Sequence, residues 1–139
     1  MILLDTNVVS EPLKANPDPS VLRWLDAQAI ETLYLPAIGL AELLFGIATL
    51  PDGRRRSQLQ TRFDQDVLPL FEGRILAFDG AAAGAYAALL SKARTQGKAI
   101  ATVDGYIAAI AASHRLTVAT RDTGPFEAAG VPVINPWAI

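Results

Sequence analysis

With 139 residues, 51% of them apolar, and no cysteine, the chain is long enough for one domain with a real core and carries neither a disulfide framework nor a thiolate metal site. A net charge of −2 argues against a protein that coats nucleic acid by charge alone, though not against an enzyme that meets a phosphate backbone locally. The single histidine, His114, leaves little material for zinc chemistry or a histidine-paired nucleophile, and the expected compartment is the cytoplasm because no secretory signal or membrane span is legible.

The sequence opens on Ile2-Leu3-Leu4, an apolar run expected to be a buried central strand, which passes directly into Asp5, Thr6 and Asn7. Taken alone, Asp5 reads as a helix cap or turn residue rather than a site residue. A turn and short helix through Val8–Leu13 are stopped by Pro17 and Pro19. Residues 20–29 then carry Val21, Leu22, Leu25 and Ala29 at helical spacing.

Residues 32–36 form the second strand candidate, followed by an apolar helix over 37–50 that contains Glu42. Pro51-Asp52-Gly53 breaks the chain. The stretch from Arg54 to about Asp66 is polar, with Arg54, Arg55, Arg56 and Arg62 and a thin apolar stripe of Leu59, Phe63 and Val67. It reads as a surface helix, either a solvated face or an arm that guides RNA or meets a partner.

Residues 74–78 are a third short strand, and Asp79 is placed to cap an Ala-rich helix over 80–95. Residues 99–103 lead to Asp104, with a short apolar helix expected over 105–114. Strands are expected at 116–119 and 131–134, with Thr120-Arg121-Asp122 between them and Trp137 as a packing anchor or dimer residue near the end. Strands alternating with helices describe an α/β three-layer sandwich with a mostly parallel sheet, here one domain over residues 1–139.

Four acids fall at the same edge of such a sheet: Asp5 after the first strand, Glu42 in the helix after the second, Asp104 at a helix start and Asp122 beyond the fourth strand. Open α/β sheets place their sites at the strands' carboxyl ends. Four converging carboxylates repel one another unless a cation lies among them, and an all-oxygen set selects Mg²⁺ or Mn²⁺ over zinc. Such a centre activates water against a phosphodiester with one ion or two, and Thr6, Asn7 and Thr120 offer neutral support. Arg121 is readable either as a partner for substrate phosphate or as a structural residue at the strand end. That chemistry does not choose between RNA and DNA, and an acidic pocket could also capture a basic partner segment without turnover.

The blocks LLDTNVVSE, LPAIGLAELLFGI, ATVDGYIAAIAASHRL and ATRDTGPFEAAGVPVINPW, in this order, resemble the PIN-domain ribonucleases. The likeness is to the VapC toxins of type II toxin–antitoxin pairs and their FitB-like branch. The resemblance covers essentially the whole chain. It implies a parallel sheet of four or five strands and a Mg²⁺- or Mn²⁺-dependent endoribonuclease, with Asp5, Glu42, Asp104 and Asp122 as catalytic and metal-holding acids. Thr6, Asn7, Thr120 and Arg121 would be supporting residues. The FitB-like branch often has Asn at the last acidic position, where this chain has Asp122. The resemblance further implies a homodimer and a small antitoxin whose DNA-binding domain brings the pair to operator DNA.

Overall fold

The computed structural model describes residues 1–139. Five strands, β1 (Ile2–Leu4), β2 (Leu33–Pro36), β3 (Ile75–Leu76), β4 (Thr117–Ala119) and β5 (Val133–Ile134), make one sheet in the order β3-β2-β1-β4-β5. Every neighbouring pair is parallel, so the expected mostly parallel sheet is parallel throughout. No helix is long and apolar enough to cross a membrane.

Alternate residues of a strand point to opposite faces, and the central strands divide their side chains accordingly. Leu3 and Val118 enter one core with Ile107, Ile110 and Phe126, while Leu4, Leu33, Leu35 and Ala119 enter a second with Val8, Val21, Leu43 and Phe63. Helices therefore cover both faces. On one side lie α1 (Thr6–Ser10), α2 (Pro19–Asp26) and α3 (Ala37–Ala48), with α4 (Arg54–Arg62) leading into Phe63. On the other lie α5 (Gly80–Thr95), α6 (Thr102–His114) and α7 (Gly124–Ala129). Helices α5 and α6 approach so closely that a methyl group at Gly105 would stand 2.8 Å from Leu90 and 2.9 Å from Tyr86.

Several boundaries differ from the sequence expectation, each for a local reason. The third strand shrinks to Ile75–Leu76, a half-buried edge whose preceding Arg74 donates from Nε to the carbonyl of Leu33. The Arg-rich helix stops at Arg62, where a π-type turn over Phe63–Val67 and a 3-10 turn over Leu68–Phe71 carry Phe63 and Phe71 into the core. What reads as a thin stripe is thus a firm anchor. Helix α6 starts at Thr102, not at residue 105, because Ala101 is the extended residue before it. Asp104 consequently sits inside the first turn and caps nothing. Its carboxylate there is favoured by the amino-terminal helix dipole. Asp79 does cap α5, accepting from the Ala82 amide at 3.0 Å. His114 is exposed in the last turn of α6.

Candidate active site

From β1 the sheet grows one way to β2 and β3, and the other way to β4 and β5. The order reverses between β1 and β4, and at such a switch the two flanking loops diverge and leave a crevice at the strands' carboxyl ends. Asp5 leaves β1 there and Thr120 leaves β4 beside it.

Asp5 is both a cap and a site residue, so the two readings of it do not compete. Its backbone is extended (φ −73°, ψ 158°) and its Oδ1 accepts from the Thr6 amide at 2.8 Å, starting α1. Its Oδ2 accepts from Thr120 Oγ1 at 2.9 Å. The residue is 8% exposed. Burial raises its pKa above the usual aspartate range, against the lowering effect of the Thr120 and Thr6 bonds, and the Asp122 charge raises it further. Each carboxylate oxygen, with one bond accepted, keeps capacity for another.

Thr120 is the hub. Its fully buried hydroxyl donates to Asp5 and accepts from Asn7 Nδ2 at 3.3 Å and from the Asp122 amide at 3.1 Å. One donor and two acceptor sites are all that a hydroxyl has. Asn7 ties the same two loops a second time, its Oδ1 accepting from the Arg121 amide at 3.3 Å. The backbone of the loop after β4 is thereby fixed to the loop after β1. The Arg121 side chain is exposed, and its guanidinium lies over the Trp137 ring at 5.3 Å.

Glu42 Oε1 accepts from Thr6 Oγ1 at 3.1 Å. The side chain is exposed, although its sequence neighbours are apolar. Helix α3 is apolar around most of its circumference, so periodicity does not orient it. It turns Gly39, Leu43 and Ile47 inward and leaves Glu42 and Phe45 outside. Asp104 is half-buried. Its pKa is raised by burial first and then by the charges of Asp5, Asp122 and Glu42, so all four acids act on one point of the crevice. Asp122 is exposed at the crevice mouth.

No lysine or arginine pairs with any of the four acids: the two ion pairs of the chain are Lys14–Glu11 and Arg56–Asp52. As the side chains stand, no three acidic or histidine groups already meet closely enough to hold a metal ion. The donor set is all-oxygen, mutually repelling and uncompensated by protein cations, and in its chemistry fits a hard divalent ion.

Sequence reasoning missed one buried charge. Glu11 is 4% exposed, its Oε1 accepting from the Asp18 amide at 3.1 Å and its Oε2 lying 2.8 Å from Lys14 Nζ. Its signal was the proline after it, which turns the chain so that Glu11 and Lys14 meet three residues apart.

The PIN domain family model matches residues 2–131. The VapC ribonuclease Y4jK of Sinorhizobium fredii is 58% identical over 137 residues, covering 99% of this chain and 98% of that protein. The toxin FitB of Neisseria gonorrhoeae is 56% identical over 137 residues, covering 99% of each. The crystal structure of FitAcB from the same organism superposes with a TM-score of 0.97 at 55% identity over the full length of both chains. The structure of FitAB bound to a DNA fragment gives a TM-score of 0.97 at 54% identity, covering 100% of this chain and 97% of that one.

Proposed function

The chain belongs to the PIN-domain family, in its VapC branch beside FitB, and we propose that it is the endoribonuclease toxin of a toxin–antitoxin pair, one catalytic domain spanning residues 1–139. The observation that carries this reading is the crevice between β1 and β4, where the charges of Asp5, Asp122 and Glu42 all act on Asp104 and no protein cation pairs with any of the four. The resemblance of the whole chain to a VapC ribonuclease and to FitB supports RNA as the substrate over DNA.

Asp5, Glu42, Asp104 and Asp122 would hold the divalent cation, Mg²⁺ with Mn²⁺ as substitute. Bound there, such an ion would supply Lewis-acid activation of a water molecule for attack on a phosphodiester. The chain's own residues supply rigidity. Thr120 and the Thr6 amide fix both oxygens of Asp5, so that it is aimed before substrate arrives. Asn7 holds the Thr120 loop against the first turn of α1. Glu42, with Oε1 held by Thr6 Oγ1, would have Oε2 for the cation. The leaving oxygen takes its proton from solvent, and no covalent protein intermediate forms.

Superposition on the FitAcB structure and on FitAB bound to DNA supports a complex with a partner protein and DNA; in this reading the partner is a cognate antitoxin, the toxin is a homodimer, and operator DNA is met through the antitoxin only. The proposed compartment is the cytoplasm. The test is cleavage of matched RNA and DNA by the purified protein with Mg²⁺, with Mn²⁺ and with a chelator. RNA cleavage that the chelator and Asp104→Asn both abolish is expected. Cleavage of DNA alone makes the protein a DNA nuclease. Tight capture of a basic peptide, with turnover of neither nucleic acid, makes the pocket a binding module.

A further inference from the structure

A groove of about 320 Å³ runs from the acidic crevice between α1, α3 and α4. Thr6 and Glu42 belong to both, so the groove continues the site rather than lying apart from it. Its floor is apolar, with Leu43 and Ile47 buried, and its two cations are Lys14 on one wall and Arg55 on the other.

Three of the four arginines of the polar stretch are differently employed. Arg56 pairs with Asp52 at 3.2 Å, and Arg62 donates to the Pro12 carbonyl at 3.0 Å. Arg55 has no ion pair or hydrogen bond within the chain and lines the groove. Lys14 is held in place from below: its ammonium is 2.8 Å from the carboxylate of Glu11, whose side chain is 5% exposed while that of Lys14 is 55% exposed. A buried anion under a half-exposed cation fixes a flexible side chain at the groove's rim. The entropy lost on ordering it is then spent in folding and not in binding.

We propose that Lys14 and Arg55 form a phosphate subsite for single-stranded RNA next to the scissile position, with Glu11 as the residue that positions Lys14. The inference rests on the ribonuclease reading and deepens it by assigning the path of the strand. A polyanion leaving an acidic, cation-loaded centre needs positive charge close by. This groove is the place where two walls meeting the centre supply it, in a protein whose net charge of −2 offers no general attraction. Its apolar floor suits unstacked bases, which single strands present and duplexes do not.

The experiment measures binding of a labelled octaribonucleotide to the Asp104→Asn protein by fluorescence anisotropy, across a salt series in the presence of Mg²⁺, while the parent protein is assayed for RNA cleavage. Each phosphate contact contributes about 0.7 to the slope of log affinity against log salt for a single strand. Adding Arg55→Gln is expected to reduce the slope by about 0.7, Lys14→Gln by a similar amount, and both together by about 1.4. Lys14→Arg, which keeps the charge, is expected to keep the slope. Arg55 is exposed and bonded to nothing, so its replacement tests the subsite even if loss of Lys14 unsettles Glu11. A parent protein that cleaves RNA, together with slopes unchanged in the Arg55 and Lys14 variants, overturns the subsite and leaves the ribonuclease reading intact. Unchanged RNA slopes with weakened binding of the antitoxin's carboxyl-terminal peptide assign the groove to the antitoxin and likewise overturn it. A parent protein that neither binds nor cleaves RNA overturns both.

Discussion

Replacing Thr120 by valine removes one oxygen and little volume from a fully buried position, yet it undoes three hydrogen bonds. The bond to Asp5 Oδ2 has an ionised acceptor, and bonds to charged groups contribute about 1.5–3 kcal/mol. Asn7 Nδ2 and the Asp122 amide lie near the surface and recover part of their loss from water, so the whole change is about 2–3 kcal/mol. Thr120→Ser keeps the hydroxyl and loses one methyl, at about 1 kcal/mol. Urea unfolding of the chelator-treated proteins reads the difference.

The pH dependence carries a sign that packing loss alone cannot imitate. Burial raises the folded-state pKa of Asp5 above its unfolded value, so the folded state binds the proton more tightly and this group's contribution to stability declines as pH rises through that window. The Thr120 bond opposes the shift by stabilising the anion. Its removal steepens the decline, and the deficit of Thr120→Val is expected to be small in acid, where Asp5 is protonated, and full at pH 7 and above. RNA cleavage is expected to fall by at least tenfold in Thr120→Val and much less in Thr120→Ser. Equal stability of Thr120→Val and parent at neutral pH, or a deficit independent of pH, refutes the reasoning.

Asp104→Asn removes a charge repelled by three neighbours, so the metal-free variant should be more stable than the parent at neutral pH. The gain should stay below about 1 kcal/mol because water screens a half-exposed group. Melting with a chelator reads this, and a destabilised variant contradicts it. Adding Mg²⁺ should raise the melting temperature of the parent more than that of Asp104→Asn, by the mass-action relation for a ligand bound only to the folded state; equal shifts in the two would remove Asp104 from the proposed ligand set. Glu11 has its pKa lowered, first by the hydrogen bond from Lys14, so its contribution is present above the ordinary glutamate value and lost as pH falls through the lowered one. Glu11→Gln should therefore flatten the acid limb of a stability–pH curve below the ordinary glutamate value, and an unchanged limb counts against the pair.

The sheet was legible because Ile2-Leu3-Leu4 and the later apolar runs are short, continuous and bounded by turn residues, as strands buried on both faces must be. The carboxyl edge was legible for the same reason, since an acid directly after such a run has only one place to go. Glu42 was not: on a helix apolar nearly all round, composition cannot say which side meets solvent, and Leu43 and Ile47 decide it through contacts made with β1 and β2. Asp104 was misplaced by a few residues because Thr102 and Val103, both β-branched, read as extended chain while tertiary packing draws them into α6. The hub at Thr120 and the Glu11–Lys14 pair depend on loops brought together from distant parts of the chain. No local pattern encodes them.

The bond between Asp5 and Thr120 joins residues 115 positions apart, and β1 finds its β4 neighbour across the same span. Contacts of such long separation form late, after the loop-closure entropy has been met. During synthesis the first strand is made at once but has no β4 partner until nearly all of the chain exists. Asp5 therefore lacks its Thr120 partner until nearly all of the chain has been made, and the proposed site does not form on an amino-terminal fragment.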